Sequence, residues 1–219
     1  MCYLRIMNEA EKILHLTESQ LQSIEGFVFD CDGTLADSMP PHFRAWAAIS
    51  SEYGFDFDED RFYALGGWPT HKVAALLISE TGVDHDIKAI SDKKEALFVE
   101  LMHTVRPIEP MVQLVKRLHG VRPMAVATGG IPSLCYPLLK QIGIFECFDA
   151  IVTSLDVEHG KPAPNIFLEA ARRIGADPTK CMAYEDVDPG IIAATAAGMK
   201  VIDVRQFYQP KRITPPKSS

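Results

Sequence analysis

The sequence predicts an α/β protein: a parallel sheet with helices on both faces, interrupted by an all-helical insertion. From residue 111 onward, short apolar runs of strand length alternate with segments of helical spacing, the pattern of βαβ units. The strand-like runs are almost continuously apolar, which indicates a sheet covered on both faces. Residues 38–105 carry helical spacing with no clear strand, so we expect a helical insertion after the first strand.

The boundaries of the predicted elements follow from this spacing and from the positions of glycine and proline. A polar leader to about residue 24 contains one short helix, around 10–16. The first strand is predicted at 26–30, and the proline-rich, basic tail at 209–219 is predicted to be frayed. Helices are predicted in the insertion at 41–54, 70–81 and 86–103, and in the core at 111–118, 131–142, 164–174 and 189–197, with core strands at 124–127, 150–153, 181–184 and 201–204.

Composition excludes several classes of function. The 219 residues are 47% hydrophobic and 23% charged, as in an ordinary globular protein of one or two domains. The net charge of −7 gives no electrostatic support for binding nucleic acid, and no apolar run is long enough to span a membrane. The five cysteines are scattered and form no CxxC pair, which argues against a zinc site or a disulfide framework. We expect a cytoplasmic protein, either a monomer or a weak dimer.

Two carboxylates close the first predicted strand. Asp30 and Asp32 follow the apolar run at 27–29, and residues i and i+2 of a strand share one face. Like charges this close are unfavourable unless a cation or a proton neutralises one of them. On this segment alone, a strand that simply ends in a polar turn remains an alternative.

Polar residues follow the other predicted strands too. Because the carboxyl ends of parallel strands meet at one edge of a sheet, these residues are expected to lie together. Each has a structural alternative: a tight turn for the Thr128 segment, a solvated loop lysine for Lys161, and an acidic helix N-terminus for Glu185 and Asp186. The segments are Asp30 to Asp32, Thr128-Gly129-Gly130, Gly160-Lys161-Pro162 and Glu185-Asp186.

These residue types suit phosphoryl transfer. The carboxylates of Asp30, Asp32 and Asp186 are hard oxygen ligands of the kind that Mg²⁺ takes. A carboxylate can also attack phosphorus and form an aspartyl-phosphate. Donors must face the equatorial phosphoryl oxygens, and the Thr128 hydroxyl, the backbone of the glycines after it and the Lys161 ammonium could supply them.

Together the segments resemble the haloacid dehalogenase-like hydrolase superfamily over almost the whole chain after residue 25. The resemblance implies a Rossmann-like core, 1–37 and 106–219, and a helical cap, 38–105. It implies that a small phosphorylated metabolite is the partner. It implies these roles: Asp30 as nucleophile, Asp32 as acid/base, Thr128, Gly129 and Lys161 as phosphate ligands, and Asp30, the Asp32 backbone carbonyl and Asp186 as Mg²⁺ ligands supported by Glu185.

Within the superfamily, segments 42–46 and 161–164 resemble the β-phosphoglucomutase branch, and 122–126 resembles its sugar-phosphate phosphatases, which act on compounds such as fructose 1-phosphate. Two departures argue against a mutase. Thr70 stands where the mutases carry an arginine for the second phosphate, and Pro132 replaces an asparagine that helps to hold it. Hydrolysis is therefore favoured, with a phosphosugar mutase or a non-catalytic phosphosugar-binding protein as alternatives.

Substrate choice in this family lies in the cap. Four cap residues are candidate substrate contacts. For Trp46 the alternative is helix packing, because it stands at an apolar helical position. Trp68 is expected in a loop, where binding residues concentrate. The candidates are His42, Trp46, Gly67 and Trp68.

Overall fold

The computed structural model describes residues 23–214, and its centre is a parallel sheet of five strands. The strands are β1 Gly26–Phe29, β4 Met124–Ala127, β5 Ala150–Val152, β6 Cys181–Glu185 and β7 Lys200–Asp203; two further strands, β2 Ala36–Asp37 and β3 Arg106–Pro107, form a separate pair. The five strands lie in the order β5-β4-β1-β6-β7, so the first strand occupies the middle of the sheet. The predicted α/β class and parallel sheet are confirmed.

Eight helices accompany these strands within the described residues. Four belong to the insertion and four flank the sheet. In chain order they are α1 Met39–Tyr53, α2 Glu59–Ala64, α3 Thr70–Thr81, α4 Ile87–Leu101, α5 Glu109–Leu118, α6 Pro132–Gln141, α7 Asn165–Arg173 and α8 Asp188–Ala196.

Alternate residues of β1 enter the two layers of the core. Phe27 and Phe29 are fully buried in the layer that contains apolar residues of α5 and α6. Val28 is fully buried in the opposite layer, with apolar residues of α7 and α8. Burial on both faces explains why this strand reads as an uninterrupted apolar run.

The insertion has an apolar cluster of its own. Residues of α1, α2, α3 and α4 pack together around Trp46, Ile49 and Leu77. Proline in the first turn of α1 fits the helix start, where its missing N–H leaves no hydrogen bond unmade. The cap boundaries predicted from the sequence, 38 and 105, remain a proposal.

The short strands β2 and β3 lie where the chain enters and leaves the insertion. Ala36 pairs with Pro107 and Asp37 with Arg106 in antiparallel register. No strand was predicted here, because two residues are too few to show a period. The pair ties together the two connections between core and cap.

The six-residue helix α2 was missed; Asp58 begins it by accepting a hydrogen bond from the Arg61 N–H. Residues 212–214, within the tail predicted to be frayed, contact α2. The helix predicted around 10–16 lies outside the described residues, among which every helix is too short or too polar to span a bilayer.

Candidate active site

Three carboxylates meet where β1 and β6 end. Oxygen atoms of Asp30, Glu185 and Asp186 lie within 4.8 Å of one another. Asp30 is 5% exposed and Glu185 is fully buried. Strands β1 and β6 are hydrogen-bonded neighbours, which explains why residues so far apart in the sequence meet.

Lys161 joins two of these carboxylates. Its Nζ lies 2.6 Å from Asp30 Oδ1 and 2.5 Å from Glu185 Oε1, and its side chain is 5% exposed. The alternative of a solvated loop lysine is therefore wrong. A buried charge needs a partner of opposite sign, and here one ammonium serves two carboxylates.

Glycines make room for the acidic groups. A Cβ at Gly33, where φ is +86°, would stand 2.1 Å from Asp186 Oδ2. A Cβ at Gly190 would stand 1.8 Å from Glu185 Oε1. Any side chain at either position would displace a carboxylate. Thr34 adds a hydrogen bond of 2.9 Å from its hydroxyl to Asp186 Oδ1.

The cluster carries more negative charge than its lysine balances. Burial raises the pKa of Asp30 to about 7, against the opposing effect of Lys161 and with the help of Glu185 and Asp32. Burial, Glu185 and Asp30 likewise raise the pKa of Asp186 well above its ordinary value. Hard oxygen donors with excess negative charge fit a divalent cation such as Mg²⁺.

Asp32 has a different environment from Asp30. The Ser38 hydroxyl donates to its Oδ1 at 2.6 Å, and His42 Nε2 lies 3.6 Å from the same oxygen. Burial raises the pKa of Asp32, but His42, Ser38 and the charge of Lys94 outweigh burial and hold that pKa below its ordinary value. The two carboxylates of the motif therefore differ in their affinity for protons.

Lys94 belongs to this arrangement, although the sequence did not single it out. Its Nζ lies 2.8 Å from His42 Nδ1, and the side chain is 3% exposed. A charged ammonium only donates, so Nδ1 accepts and the His42 proton sits on Nε2, facing Asp32. The sequence does contain a signal for its burial: Lys94 lies at helical spacing between Ile90 and Phe98, on the buried face of α4.

The segment after β4 forms a turn with a buried hydroxyl. Thr128 is 1% exposed, and its Oγ1 accepts a hydrogen bond of 3.0 Å from the Gly130 N–H. Its hydroxyl hydrogen stays available as a donor. The tight turn and the predicted phosphate contact are compatible, because this turn and Gly129 line the same cavity as Asp30.

A cavity of about 640 Å³ lies between the sheet edge and the cap. Core and cap candidates line it together: Asp30, Asp32, Thr128, Gly129, Lys161 and Glu185 from the core, and His42, Trp46, Gly67 and Trp68 from the cap. Their predicted roles remain a proposal.

The cap candidates differ in exposure. Trp46 is 3% exposed and lies in the apolar cluster of the cap, 5.6 Å from the Phe57 ring, so it packs as well as lines the cavity. Trp68 is 46% exposed. Gly67 adopts a φ of +81°, which favours glycine in this loop.

Polar cap residues other than the four candidate substrate contacts also line the cavity. Thr70 donates a hydrogen bond to Glu95 Oε1, and Lys94 Nζ lies 3.4 Å from the same oxygen. These contacts join the start of α3 to helix α4. Thr70 thus has a partner within the cap, and Ser91 also lies on the cavity wall.

The fold is an α/β sheet with an acidic centre at its edge, beneath a helical insertion. A model of the haloacid dehalogenase-like hydrolase family matches residues 24–198. The chain belongs to this family.

Similar proteins narrow the class. Fructose-1-phosphate phosphatase YqaB of Escherichia coli is 43% identical over 181 residues, 82% of this chain and 96% of that protein. The β-phosphoglucomutase of Bacillus subtilis is 28% identical, covering 84% of each chain. A crystal structure of CbbY from Rhodobacter sphaeroides, in complex with xylulose-(1,5)bisphosphate, superposes with a TM-score of 0.68 at 26% identity, over 81% of this chain and 84% of that one. The chain is an enzyme of the phosphatase type within the β-phosphoglucomutase-like branch.

Proposed function

We propose that this protein is a Mg²⁺-dependent phosphomonoester hydrolase that acts on a small sugar phosphate through an aspartyl-phosphate intermediate. One observation carries the proposal. At the core side of the cavity Lys161 contacts Asp30, which belongs to the acidic cluster, and Asp32 lies beside them. A phosphatase of this kind needs a nucleophile, a cation for the phosphoryl oxygens and a proton donor. In this proposal Asp30 is the nucleophile, the acidic cluster binds the cation and Asp32 donates the proton.

Asp30 is the nucleophile in this proposal. Its carboxylate oxygen attacks phosphorus, the bond from phosphorus to the ester oxygen breaks, and the phosphoryl group is transferred to Asp30. Lys161 Nζ, already 2.6 Å from Asp30, favours the ionised form of this carboxylate and donates to a phosphoryl oxygen. The Thr128 hydroxyl and the Gly129 backbone hold the other oxygens.

Asp32 moves the proton. The negative charge of a bound phosphate raises the pKa of the neighbouring carboxyl, so Asp32 can bind a proton and give it to the departing alcohol oxygen. Asp32 then takes a proton from the water that attacks the aspartyl-phosphate, releasing inorganic phosphate and restoring Asp30. Ser38 and His42 hold Asp32 in position for both steps.

The acidic cluster suits one cation. Asp30, Asp186 and the Asp32 backbone carbonyl would hold Mg²⁺, with Glu185 in support. Bound Mg²⁺ supplies neutralising charge for the phosphoryl oxygens and for the carboxylates. Glu185 is itself fixed by hydrogen bonds of 2.7 and 2.8 Å from the N–H groups of Asp186 and Val187.

Mg²⁺ is expected to raise the melting temperature of the protein, more at about pH 8 than at about pH 5. Folding raises the pKa of Asp30 from 3.8 to about 7, so the stability contributed by its protonated form is lost as the pH rises through that range. The metal requires ionised ligands and therefore stabilises most above it. Differential scanning fluorimetry with and without Mg²⁺ measures this, with Asp186→Asn as control. An equal shift at both pH values would contradict the metal site.

The substrate proposal depends on the cap wall. Hydroxyl, carboxylate and ammonium groups suit the hydroxyls of a sugar, and aromatic rings suit its C–H faces. The relative that is 43% identical is named for fructose 1-phosphate, which supports a sugar monophosphate. We include in the proposal a cytoplasmic location and a monomeric or weakly dimeric state, with no nucleic-acid partner.

Replacing Asp32 with asparagine is expected to lower kcat for a sugar phosphate by roughly 10²- to 10⁴-fold, the usual contribution of general acid–base catalysis. With p-nitrophenyl phosphate, whose leaving group needs no proton, the variant should show a rapid burst of nitrophenol followed by slow turnover. Stopped-flow absorbance measures the burst. The matched control is Asp84→Asn at an exposed position, and the same steady rate in Asp32→Asn as in the wild type would refute the role.

A phosphosugar mutase is the second candidate, because Lys72 and Lys94 line the cap side of the cavity and could meet a second phosphate. The test supplies β-glucose 1-phosphate, fructose 1-phosphate and a panel of other sugar phosphates, and measures inorganic phosphate and isomers in parallel. Phosphate release with little isomer supports the hydrolase. Glucose 6-phosphate with little phosphate would favour the mutase, and binding without turnover a non-catalytic protein.

A further inference from the structure

The chain returns to the cap after it has completed the core. Residues 212–214, here called the C-terminal strap, follow β7 in sequence and lie against helix α2. On the way, Tyr208 lies near Asp37 of β2, at the entrance to the cap, where burial and the charge of Asp37 raise the pKa of the tyrosine. The C-terminal segment therefore passes the connection between core and cap, and it then contacts helix α2 of the cap.

The central contact of the strap is the Glu59 carboxylate. Glu59 is 2% exposed. Its oxygens accept hydrogen bonds from the Ile213 N–H at 2.9 and 3.1 Å, from the Thr214 N–H at 2.7 Å and from the Thr214 hydroxyl at 2.6 Å. A buried carboxylate needs such donors, and among the described residues the strap is what supplies them to Glu59.

Arg212 adds a second anchor on the same helix. Its guanidinium pairs with Asp60, and its central carbon lies 4.7 Å from the centre of the Tyr63 ring. This geometry is a cation–π contact in addition to the ion pair. The strap thus contacts three residues on the short helix α2, which has too few turns to be stable by itself.

Helix α2 leads directly into the loop that closes the cavity. Residues 65–69 follow it, and they include Gly67 and Trp68 of the cavity wall. Val187, next to the acidic cluster, is close to this loop: its Cγ2 would lie 3.2 Å from a Cβ placed on Gly67. A shift of α2 would therefore move the loop relative to the phosphate side of the site.

We propose that Glu59 is a positioning residue: by binding the C-terminal strap, it fixes α2 and the 65–69 loop over the cavity and so sets the affinity for the sugar part of the substrate. This inference rests on the proposed function only in its kinetic test, because measuring KM requires phosphatase activity. The strap follows the last strand of the core and contacts helix α2 of the cap. Its loss should therefore weaken the binding of a substrate that reaches the cap more than that of a substrate that does not.

The test compares two truncated proteins. Deletion of 211–219 removes the strap, and deletion of 215–219 leaves it intact and is the matched control. Two substrates are used: fructose 1-phosphate, whose sugar is large enough to reach the cap, and acetyl phosphate, whose leaving group is too small to do so. Deletion of 211–219 is expected to raise KM for fructose 1-phosphate by about 5- to 10-fold. For acetyl phosphate, kcat and KM are expected to stay within about twofold of the wild-type values.

Glu59→Gln tests whether the carboxylate carries the effect. In the full chain this variant is expected to raise KM for fructose 1-phosphate several-fold, as the 211–219 deletion does. In the 211–219 deletion it is expected to add nothing, because the two changes remove one interaction. Additive effects, or an equal loss with both substrates, would overturn the proposal, since both indicate general destabilisation.

Limited proteolysis separates this proposal from the proposed function. Cleavage within 65–72 is expected to be faster in the 211–219 deletion and in Glu59→Gln than in the wild type and the 215–219 deletion. If the wild type hydrolyses neither substrate, the proposed function fails. The cleavage rates still test whether the strap fixes the 65–69 loop, because they do not depend on activity. Unchanged cleavage would refute it.

Discussion

Replacing Asp30 with asparagine is expected to lower kcat for every phosphomonoester by at least about 10³-fold, because an amide is a poor nucleophile and cannot form the covalent intermediate. The protein should fold. Asp30 is a buried carboxylate whose pKa is raised to about 7, so removing its charge relieves repulsion from Glu185 and Asp186. Lys161 keeps Glu185 as a partner at 2.5 Å.

The measurement is phosphate release under saturating substrate and Mg²⁺, with thermal melting of the same sample to show that the variant is folded. Asp84→Asn, an exposed change of the same chemistry, is the control and should retain full activity. A folded Asp30→Asn protein with undiminished turnover would remove Asp30 from the mechanism.

Replacing Lys161 with methionine is expected to reduce both activity and stability. The change leaves Asp30 and Glu185 buried without their shared cation, and breaking a buried pair in this way costs about 3–5 kcal/mol of unfolding free energy. The loss should be smaller at about pH 5 than at about pH 8, because the carboxylates can then bind protons instead. Added Mg²⁺ should restore part of the stability.

Chemical denaturation at the two pH values, with and without Mg²⁺, measures this effect. Lys180→Met is the matched control: Lys180 pairs with Glu25 at 2.7 Å, but its side chain is 54% exposed and solvent screens the pair, so its loss should change stability far less than the loss of Lys161 does. Equal effects of the two substitutions would show that Lys161 is an ordinary surface lysine after all.

The sheet and the core side of the site were predictable because they follow from local patterns. Continuous apolar runs mark strands, and in a parallel sheet the residues after such strands lie at one edge. Asp30, Thr128 and Lys161 could therefore be placed together from the sequence alone. Their separate roles required the resemblance to a known family.

The cap side was predicted less well, for a physical reason. Lys94, His42 and Asp32 are neighbours only because α4 and α1 pack above the sheet edge, and no local pattern encodes that contact. Helix α2 was missed because so short a segment shows no clear period, and its partner is Thr214, 155 positions beyond Glu59. The tail was predicted to be frayed from its composition, which does not reveal the contact with Glu59.

The central claim is that Asp30 carries the phosphoryl group during turnover, and trapping that intermediate tests it most directly. Asp32→Asn should slow hydrolysis of the intermediate and let it accumulate with p-nitrophenyl phosphate. Acid quenching, digestion and mass spectrometry then locate the added phosphoryl group. We predict one phosphoryl group on Asp30, absent without substrate and absent from Asp30→Asn. Steady turnover with no phosphorylated peptide, or a phosphoryl group on another residue, would contradict the account.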